Sequence, residues 1–171
     1  MNISEKLKDR FLGFHLPRFE ELPAIDLYMD QLLQVIEKSL EPIFGGNDSK
    51  WITTSMVNNY IKQGLVKKTH SKKYDREHIA ALLYIFCVKN VMPISDILRL
   101  FALQQETCSM ERAYNYFCDE FEGALSAVFS GSPLPPFEKK REEAYALRLS
   151  AVTAAWQIYL NEYLFNVKAK E

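Results

Sequence analysis

The sequence predicts an all-α protein. Three observations support this fold class. Apolar residues recur at spacings of three and four along most of the chain, residues that favour helix caps or helix starts precede these stretches, and strand-like patterning is confined to Leu65-Val66. The composition, 48% hydrophobic and 25% charged over 171 residues, is that of a folded protein with a substantial core. We therefore expect one domain of ordinary size or two small ones.

Residues 1–49 form the first predicted segment, an N-terminal arm followed by a helix. Residues 1–22 carry aromatic and leucine side chains without a regular period, so we expect an irregular arm. Pro23 suits the first turn of a helix, and the apolar spacing behind it predicts a helix over residues 25–44. The glycines and asparagine that follow accept positive φ values and end this helix.

Residues 50–103 form the second predicted segment, three helices around the polar, basic connector 67–73. The helix that follows the connector is apolar nearly all round, so we expect it at the centre of the fold. A cap or a breaker bounds each element: Thr53 as N-cap of a helix over 54–63, Gly64 as its stop, Leu65-Val66 as a short extended pair, Asp75 as N-cap of the central helix to about residue 90, and Pro93 at the next helix start.

Residues 104–171 form the third predicted segment, two helices over about 109–129 and 137–167 joined by the proline-rich linker 130–136. We expect them to pair as an antiparallel hairpin. The last helix carries two apolar stripes, and a second copy of the chain in a homodimer could cover the second stripe. The alternative is that both stripes pack within one monomer. The first stripe is Tyr145, Leu149, Val152, Trp156, Tyr159 and Tyr163, and the second is Leu147, Ala151, Ala154, Ile158 and Phe165.

Positive charge is concentrated in one window of the sequence. Residues 50–78 carry 7 Lys/Arg and 2 Asp/Glu, a net charge of +5, although the whole chain has a net charge of −1. A basic window of this kind is typical of a nucleic-acid site. A lysine cluster alone is more typical of a solvated surface loop.

The residues of this window fit the chemistry of DNA recognition. A helix in the major groove contacts bases through residues three and four apart, and Ser55, Asn58, Asn59 and Lys62 share such a face. Asparagine can pair with adenine, and lysine with guanine or phosphate. The alternative is that the two asparagines only solvate a surface helix. The predicted DNA-contacting residues are Thr54, Ser55, Asn58, Asn59, Lys62, Lys67, Lys68, His70, Lys72, Lys73 and Arg76, with Lys50 as a further flanking contact.

We predict neither catalysis nor a cofactor or metal site, because the chain has no Ser-His-Asp order, glycine-rich phosphate loop or closely spaced ligand set. Cys87, Cys108 and Cys118 are expected to be reduced thiols. The last two could in principle bind a soft metal, but no His or third Cys stands nearby. Without a signal sequence or a long apolar run, the chain is expected in the cytoplasm, away from membranes.

Several stretches resemble known DNA-binding proteins. Residues 53–66, with Tyr60-Ile61-Lys62-Gln63-Gly64-Leu65, resemble the recognition helix of MerR-like winged helix-turn-helix proteins. Residues 74–79 resemble the start of the helix after the wing, where a tyrosine plugs the core, and residues 92–100 resemble the next short helix. Including residues 16–23 and 26–31, the chain to about residue 130 is similar to the bacterial family called domain of unknown function 1836, which is regarded as MerR-like. The resemblance implies a winged helix-turn-helix head at 50–103 and DNA binding, and it implies no ligand.

Two functions therefore stay open. The first is a dimeric transcriptional regulator that binds double-stranded DNA, either through a helix-turn-helix with a widened turn, in which residues 25–44 form the first helix, or through an altered reading head. The second is a helical protein-interaction module whose basic loop binds an acidic protein. A small-molecule effector could add to the first function if the C-terminal helices enclose a cavity lined by Tyr114, Phe117, Trp156 or Tyr159.

Overall fold

The structure, a computed structural model, describes residues 5–45, 51–137 and 141–168, and this part of the chain confirms the all-α class. It contains no strand there, only isolated antiparallel bridges between Leu27 and Tyr74 and between His70 and Lys73. A short 3-10 turn spans Phe19–Glu21. The helices are α1 (Glu5–Leu12), α2 (Met29–Phe44), α3 (Thr54–Lys62), α4 (Arg76–Val88), α5 (Ile94–Thr107), α6 (Met110–Ser130) and α7 (Glu142–Lys168).

The predicted helix starts in the middle of the chain are confirmed. The side chain of Thr53 accepts a hydrogen bond from the backbone N–H of Met56 at 3.3 Å, and that of Asp75 accepts one from the N–H of His78 at 3.1 Å. Pro93 directly precedes α5. These caps satisfy N–H groups of the first helical turn that have no partner within the helix.

The N-terminal segment differs from the prediction in two places. The chain forms a helix, α1, where an irregular arm was expected, and Phe11 of α1 stacks on Phe129 of α6 with ring centroids 4.0 Å apart. Helix α2 begins at Met29, so Pro23 is not in its first turn. The reason is a tertiary contact: Leu27 and Tyr74 exchange two backbone hydrogen bonds of 2.9 Å, which require extended backbone just before α2.

The predicted extended pair Leu65-Val66 is also absent. After Gly64, whose φ of +79° ends α3, the chain folds back, and the N–H groups of Leu65 and Val66 both point to the carbonyl of Tyr60 at 2.9 and 3.4 Å. Both side chains are buried. The pair therefore closes the end of α3 and anchors it to the core.

Helix α4 is central, as predicted, because every side chain from His78 to Val88 is buried. The ring of Phe86 on this helix packs edge to face against the rings of Trp51 and of Tyr60 on α3, with ring centroids 5.8 and 5.9 Å apart. Trp51 also contacts Phe44 at the end of α2, with centroids 5.3 Å apart. Aromatic contacts with α4 thus hold α3 in place.

Helices α6 and α7 run parallel, so the predicted antiparallel hairpin is wrong. Glu120 of α6 pairs with Arg148 of α7 at 2.7 Å, and further along both helices the ring of Phe129 lies 5.2 Å from that of Tyr159. The described residues 131–137 of the connection return along α6, and Pro135 lies against Gly123. The whole connection, residues 131–141, can span at most about 36 Å, enough to pass the 21 residues of α6, about 31 Å long. Its prolines favour this extended path.

The two stripes of α7 are oriented opposite to the expectation. Residues of the second stripe, which we expected a second copy to cover, are buried in the monomer: Leu147, Ala151, Ala154 and Ile158 are at most 7% exposed. Leu149 and Trp156 of the first stripe are exposed. The alanines explain the choice, because small side chains let α7 approach the core closely. The side chain of Phe165 lies outside the described residues.

Candidate nucleic-acid interface

Helix α3 presents a polar face to solvent. Val57 and Tyr60 are buried, and Met56 and Ile61 are half-buried against the core, as the helical spacing predicted. The opposite side of the helix is exposed, and it carries Thr54, Ser55, Asn58, Asn59 and Lys62. The five helix residues predicted to contact DNA therefore all lie on the exposed side.

These exposed groups are not used inside the protein. In the described part of the chain, none of the five side chains makes a hydrogen bond or an ion pair. Each asparagine amide offers two N–H donors and an acceptor, and the lysine offers three donors. The face can therefore form several directed hydrogen bonds to an external partner without breaking one of its own.

The basic connector forms a tight and strained turn. Ser71 and Lys72 have φ values of 54° and 58°, and the N–H of Lys73 donates to the carbonyl of His70 at 3.1 Å. Two positive φ angles inside such a bond define a type I′ turn, which ordinarily contains glycine or asparagine. Left-handed backbone costs a residue with a side chain about 1–2 kcal/mol. Lys72 is thus held at an exposed turn tip by the surrounding fold.

Lys67, at the base of this turn, is committed to the protein. Its Nζ lies 2.7 Å from carboxylate oxygens of both Asp75 and Glu77. Partial burial alone would raise the pKa of Asp75, but hydrogen bonds from Lys67 and His78 outweigh it and hold the pKa at about 2. The three charges fasten the turn to the start of α4, so Lys67 is not a free cation.

Arg76 is also occupied within the protein. Its Nε donates to the backbone carbonyls of Leu22 and Pro23 at 3.0 and 3.3 Å, and Nη2 donates to the carbonyl of Glu20 at 3.3 Å. These bonds tie the N-terminal segment to the first turn of α4. We therefore assign Arg76 a structural role and leave it out of the candidate interface.

The remaining residues predicted to contact DNA from the connector differ in exposure. Lys68, His70 and Lys72 are exposed, and within the described chain their side chains have no hydrogen-bond or ion-pair partner. Lys73 is half-buried, with Nζ 5.4 Å from the ring centre of Tyr28. Lys50 lies outside the described residues. Lys62, Lys68 and Lys72 give the candidate interface its free positive charge, and His70 adds an exposed imidazole that can form hydrogen bonds.

Three features of this region were not predicted from the sequence. These are the ion pairs of Lys67, the carbonyl contacts of Arg76 and the left-handed turn. The first two bring together groups far apart in sequence or in separate elements. The turn had no glycine or asparagine to mark it. Only the short length of the connector between Val66 and Tyr74 could have indicated a tight reversal.

The thiols show no metal-site geometry in the described part of the chain. Cys87, Cys108 and Cys118 are free, and no group of three or more Cys, His, Asp or Glu there could hold a metal ion. Burial raises the pKa of Cys118 to about 12, so this thiol stays protonated at neutral pH. None of the helices in the described ranges has the length and apolar character needed to cross a membrane.

Comparison with known proteins gives one match. A family model described as domain of unknown function (DUF1836) matches residues 17–117, more than half of the chain. The matched range runs from just before the 3-10 turn into α6 and includes the whole candidate interface. No curated protein and no solved structure gave a significant match.

Proposed function

The chain belongs to the family described as domain of unknown function (DUF1836), and we propose that it is a transcriptional regulator that binds double-stranded DNA. In this proposal α3 lies in the major groove and the basic turn at residues 67–73 contacts the phosphate backbone. The observation that carries it is the exposed, unpartnered polar face of α3, which is followed in the chain, after residues 63–66, by a turn with exposed and unpaired lysines.

The chemistry of α3 suits base recognition. Asn58 and Asn59 can each make a bidentate contact with adenine, and Lys62 can reach guanine or a phosphate. A major groove about 12 Å wide admits one helix, and α3 offers its exposed side along its whole length. The buried Tyr60 and the aromatic contacts with α4 would hold the helix rigid as it docks.

The basic turn suits phosphate binding. Lys68, His70 and Lys72 are exposed, and the strained backbone of the turn presents them on a short, rigid projection. Strain of this kind is often retained where function needs a side chain in one position. The ion pairs of Lys67 support the base of the turn and contribute to binding only through it.

We further propose that this region is a MerR-like winged helix-turn-helix. In this reading α2 is the first helix, α3 is the recognition helix, and the His70–Lys73 turn is a reduced wing. The connection between α2 and α3 is a widened form of the usual tight turn, and Trp51 stabilises it by packing on Phe44 and Phe86.

The protein would act as a homodimer through α7. Leu149, Trp156, Leu160 and Leu164 share one face of this helix and are 45–54% exposed. No charged residue occurs from 149 to 161, whereas a solvated helix face ordinarily carries charges. Two such faces can meet without like-charge repulsion, and a twofold dimer would match a palindromic operator.

Dimerisation is tested by replacing apolar side chains on this face with negatively charged ones. The double variant Trp156→Glu with Leu160→Glu should be monomeric by sedimentation equilibrium and should lose affinity for a palindrome more than for a half-site. Ile25→Glu is the control, because Ile25 is 71% exposed and is not part of α7. An unchanged mass in the α7 variant would refute this interface.

DNA binding is tested by removing the free lysines of the turn. Each phosphate contact adds about 0.9 to the slope of log affinity against log salt, so Lys68→Ala with Lys72→Ala should lower the slope by about 1.8. Affinity should fall for all sequences, whereas Asn58→Ala should change sequence preference. The control, Arg99→Ala with Arg112→Ala, removes the same charge from exposed positions on α5 and α6, outside the two helices of the proposed helix-turn-helix.

Two outcomes would contradict the proposal. Equal effects of the turn variant and the control variant would mean that only net charge matters. Affinity and preference that stay unchanged in all variants would exclude this interface and favour the second function, a helical module whose basic turn binds an acidic protein.

A further inference from the structure

A cavity of about 280 Å³ lies between α5, α6, α7 and the linker that precedes α7. Its volume is just below the range of about 300–1,000 Å³ that is typical of small-molecule sites. Leu147, Ala144 and Ala113 form apolar walls, and Gln104 and Cys108 lie at its inner end. The lining residues come from the end of α5, the starts of α6 and α7 and the linker, so the cavity is a feature of the assembled fold.

The cavity continues inward as a narrow apolar space. The two spaces share four lining residues, and the inner one reaches the aromatic side chains Tyr84, Phe101, Tyr114 and Phe117. Tyr114 and Phe117 are two of the four residues we had expected to line an effector cavity. Trp156, another of these, is half exposed on α7 and does not line either space.

The rim of the cavity is positively charged. Arg112 and Arg141 line it and are exposed, and no Asp or Glu is among the described lining residues. Arg141 donates to the carbonyl of Thr107 at 3.2 Å, whereas the guanidinium of Arg112 makes no hydrogen bond or ion pair within the described chain. An arginine of this kind can bind a carboxylate, sulfonate or phosphate with two parallel hydrogen bonds.

The outer wall is held in place. The Phe137 ring stacks on Tyr145 at 5.3 Å, and the guanidinium of Arg148 lies 5.0 Å from the centre of the same ring. Arg148 is itself fixed by Glu120 and by the carbonyl of Pro135. Tyr116 adds a phenol, and burial together with the neighbouring Glu120 raises its pKa to about 12, so it remains a hydrogen-bond donor at neutral pH.

We propose that this cavity binds a small organic anion, with an aromatic or aliphatic body against Ala113, Ala144 and Leu147 and its acidic group at Arg112 and Arg141. The apolar interior excludes a fully hydrated ion such as free phosphate, and the arginines disfavour a cationic ligand. This site is separate from the candidate nucleic-acid interface, and it does not depend on whether the protein binds DNA.

The test uses a pair of fluorescent probes that differ in charge. 8-Anilinonaphthalene-1-sulfonate is an aromatic anion, and N-phenyl-1-naphthylamine is the same body without the sulfonate. The folded wild-type chain should bind the anion saturably with one site per chain. Arg112→Gln should weaken the anion about tenfold or more, which is the loss expected for a charge-assisted bond, and leave the neutral probe nearly unchanged.

Two further variants test whether the probe binds in this cavity. Ala144→Phe should fill the cavity and abolish binding of both probes, with thermal unfolding as the check that the variant folds. Leu160→Glu changes the exposed face of α7 and should leave probe binding intact. Three results would each overturn the proposal. The first is that the wild-type chain shows no saturable binding of the anion, and the second is that Arg112→Gln weakens both probes equally. The third is that Leu160→Glu abolishes probe binding and Ala144→Phe does not.

Discussion

The strained turn at Ser71 and Lys72 gives a prediction whose sign differs from that of ordinary glycine substitutions. Ser71 has a φ of 54°, which costs a residue with a side chain about 1–2 kcal/mol. Glycine removes this cost, but it loses more conformational entropy on folding, which costs about 0.5–1 kcal/mol. Ser71→Gly should therefore stabilise the protein by about 0–1.5 kcal/mol, with a midpoint of about 0.75 kcal/mol, although it adds a glycine.

The control is Gln63→Gly. Gln63 is exposed and has a φ of −81° at the end of α3, so glycine relieves no strain there and should destabilise by about 0.5–1 kcal/mol. The two variants should thus move the melting temperature in opposite directions, each by about 2 °C for a chain of this size. Calorimetry or thermal circular dichroism measures both.

The result that would refute this reasoning is a loss of stability in Ser71→Gly equal to that in Gln63→Gly. It would mean that the turn does not hold a left-handed conformation in solution. Because Ser71→Gly retains Lys72 and the turn geometry, it should also leave DNA affinity unchanged.

Three more predictions concern the core, the base of the turn and the thiols. Phe86→Ala should lower the free energy of unfolding, measured by urea titration, by about 3–5 kcal/mol, because it empties the fully buried site where Trp51 and Tyr60 contact α4. A loss below 1 kcal/mol would contradict this packing. The pKa of Asp75 is lowered from 3.8 to about 2, so the stability that Asp75 contributes is present above pH 4 and is lost as the pH falls towards 2. Asp75→Asn should therefore flatten the curve of unfolding free energy against pH between these values, and an unaltered curve would contradict the Lys67 contact. In the native protein a thiol reagent should label the half-buried Cys108 before the buried Cys87 and Cys118. Mass spectrometry of the labelled chain measures the order, and faster labelling of either buried thiol would contradict the packing.

Local signals in the sequence predicted the individual helices well. The predicted caps Thr53 and Asp75 each accept a hydrogen bond from a backbone N–H three residues ahead, so their effect depends only on neighbouring residues. The same holds for the exposed face of α3, because helical spacing alone separates Asn58 from Val57.

Features that depend on distant residues could not be predicted in this way. The sequence of α7 has two apolar stripes, and periodicity does not determine which one faces the core. The choice depends on Ala151 and Ala154, which allow close approach to the core. The parallel course of α6 and α7 depends on the path of the linker, and helix α1 depends on the stacking of Phe11 on Phe129.

The candidate site was predicted in its location and partly in its composition. The residues of α3 and the exposed Lys68, His70 and Lys72 remain in it. Lys67 and Arg76 are not part of it, because each binds groups within the protein that the sequence spacing does not predict as partners. A count of basic residues therefore overestimated the charge that is available to a ligand.

The most direct test of the central claim is a fluorescence-anisotropy titration of the protein with random-sequence duplex DNA at several salt concentrations, followed by selection of bound sequences from a random pool. We expect an affinity that falls steeply with salt and enrichment of a palindromic sequence. Absence of binding even at low salt would contradict it.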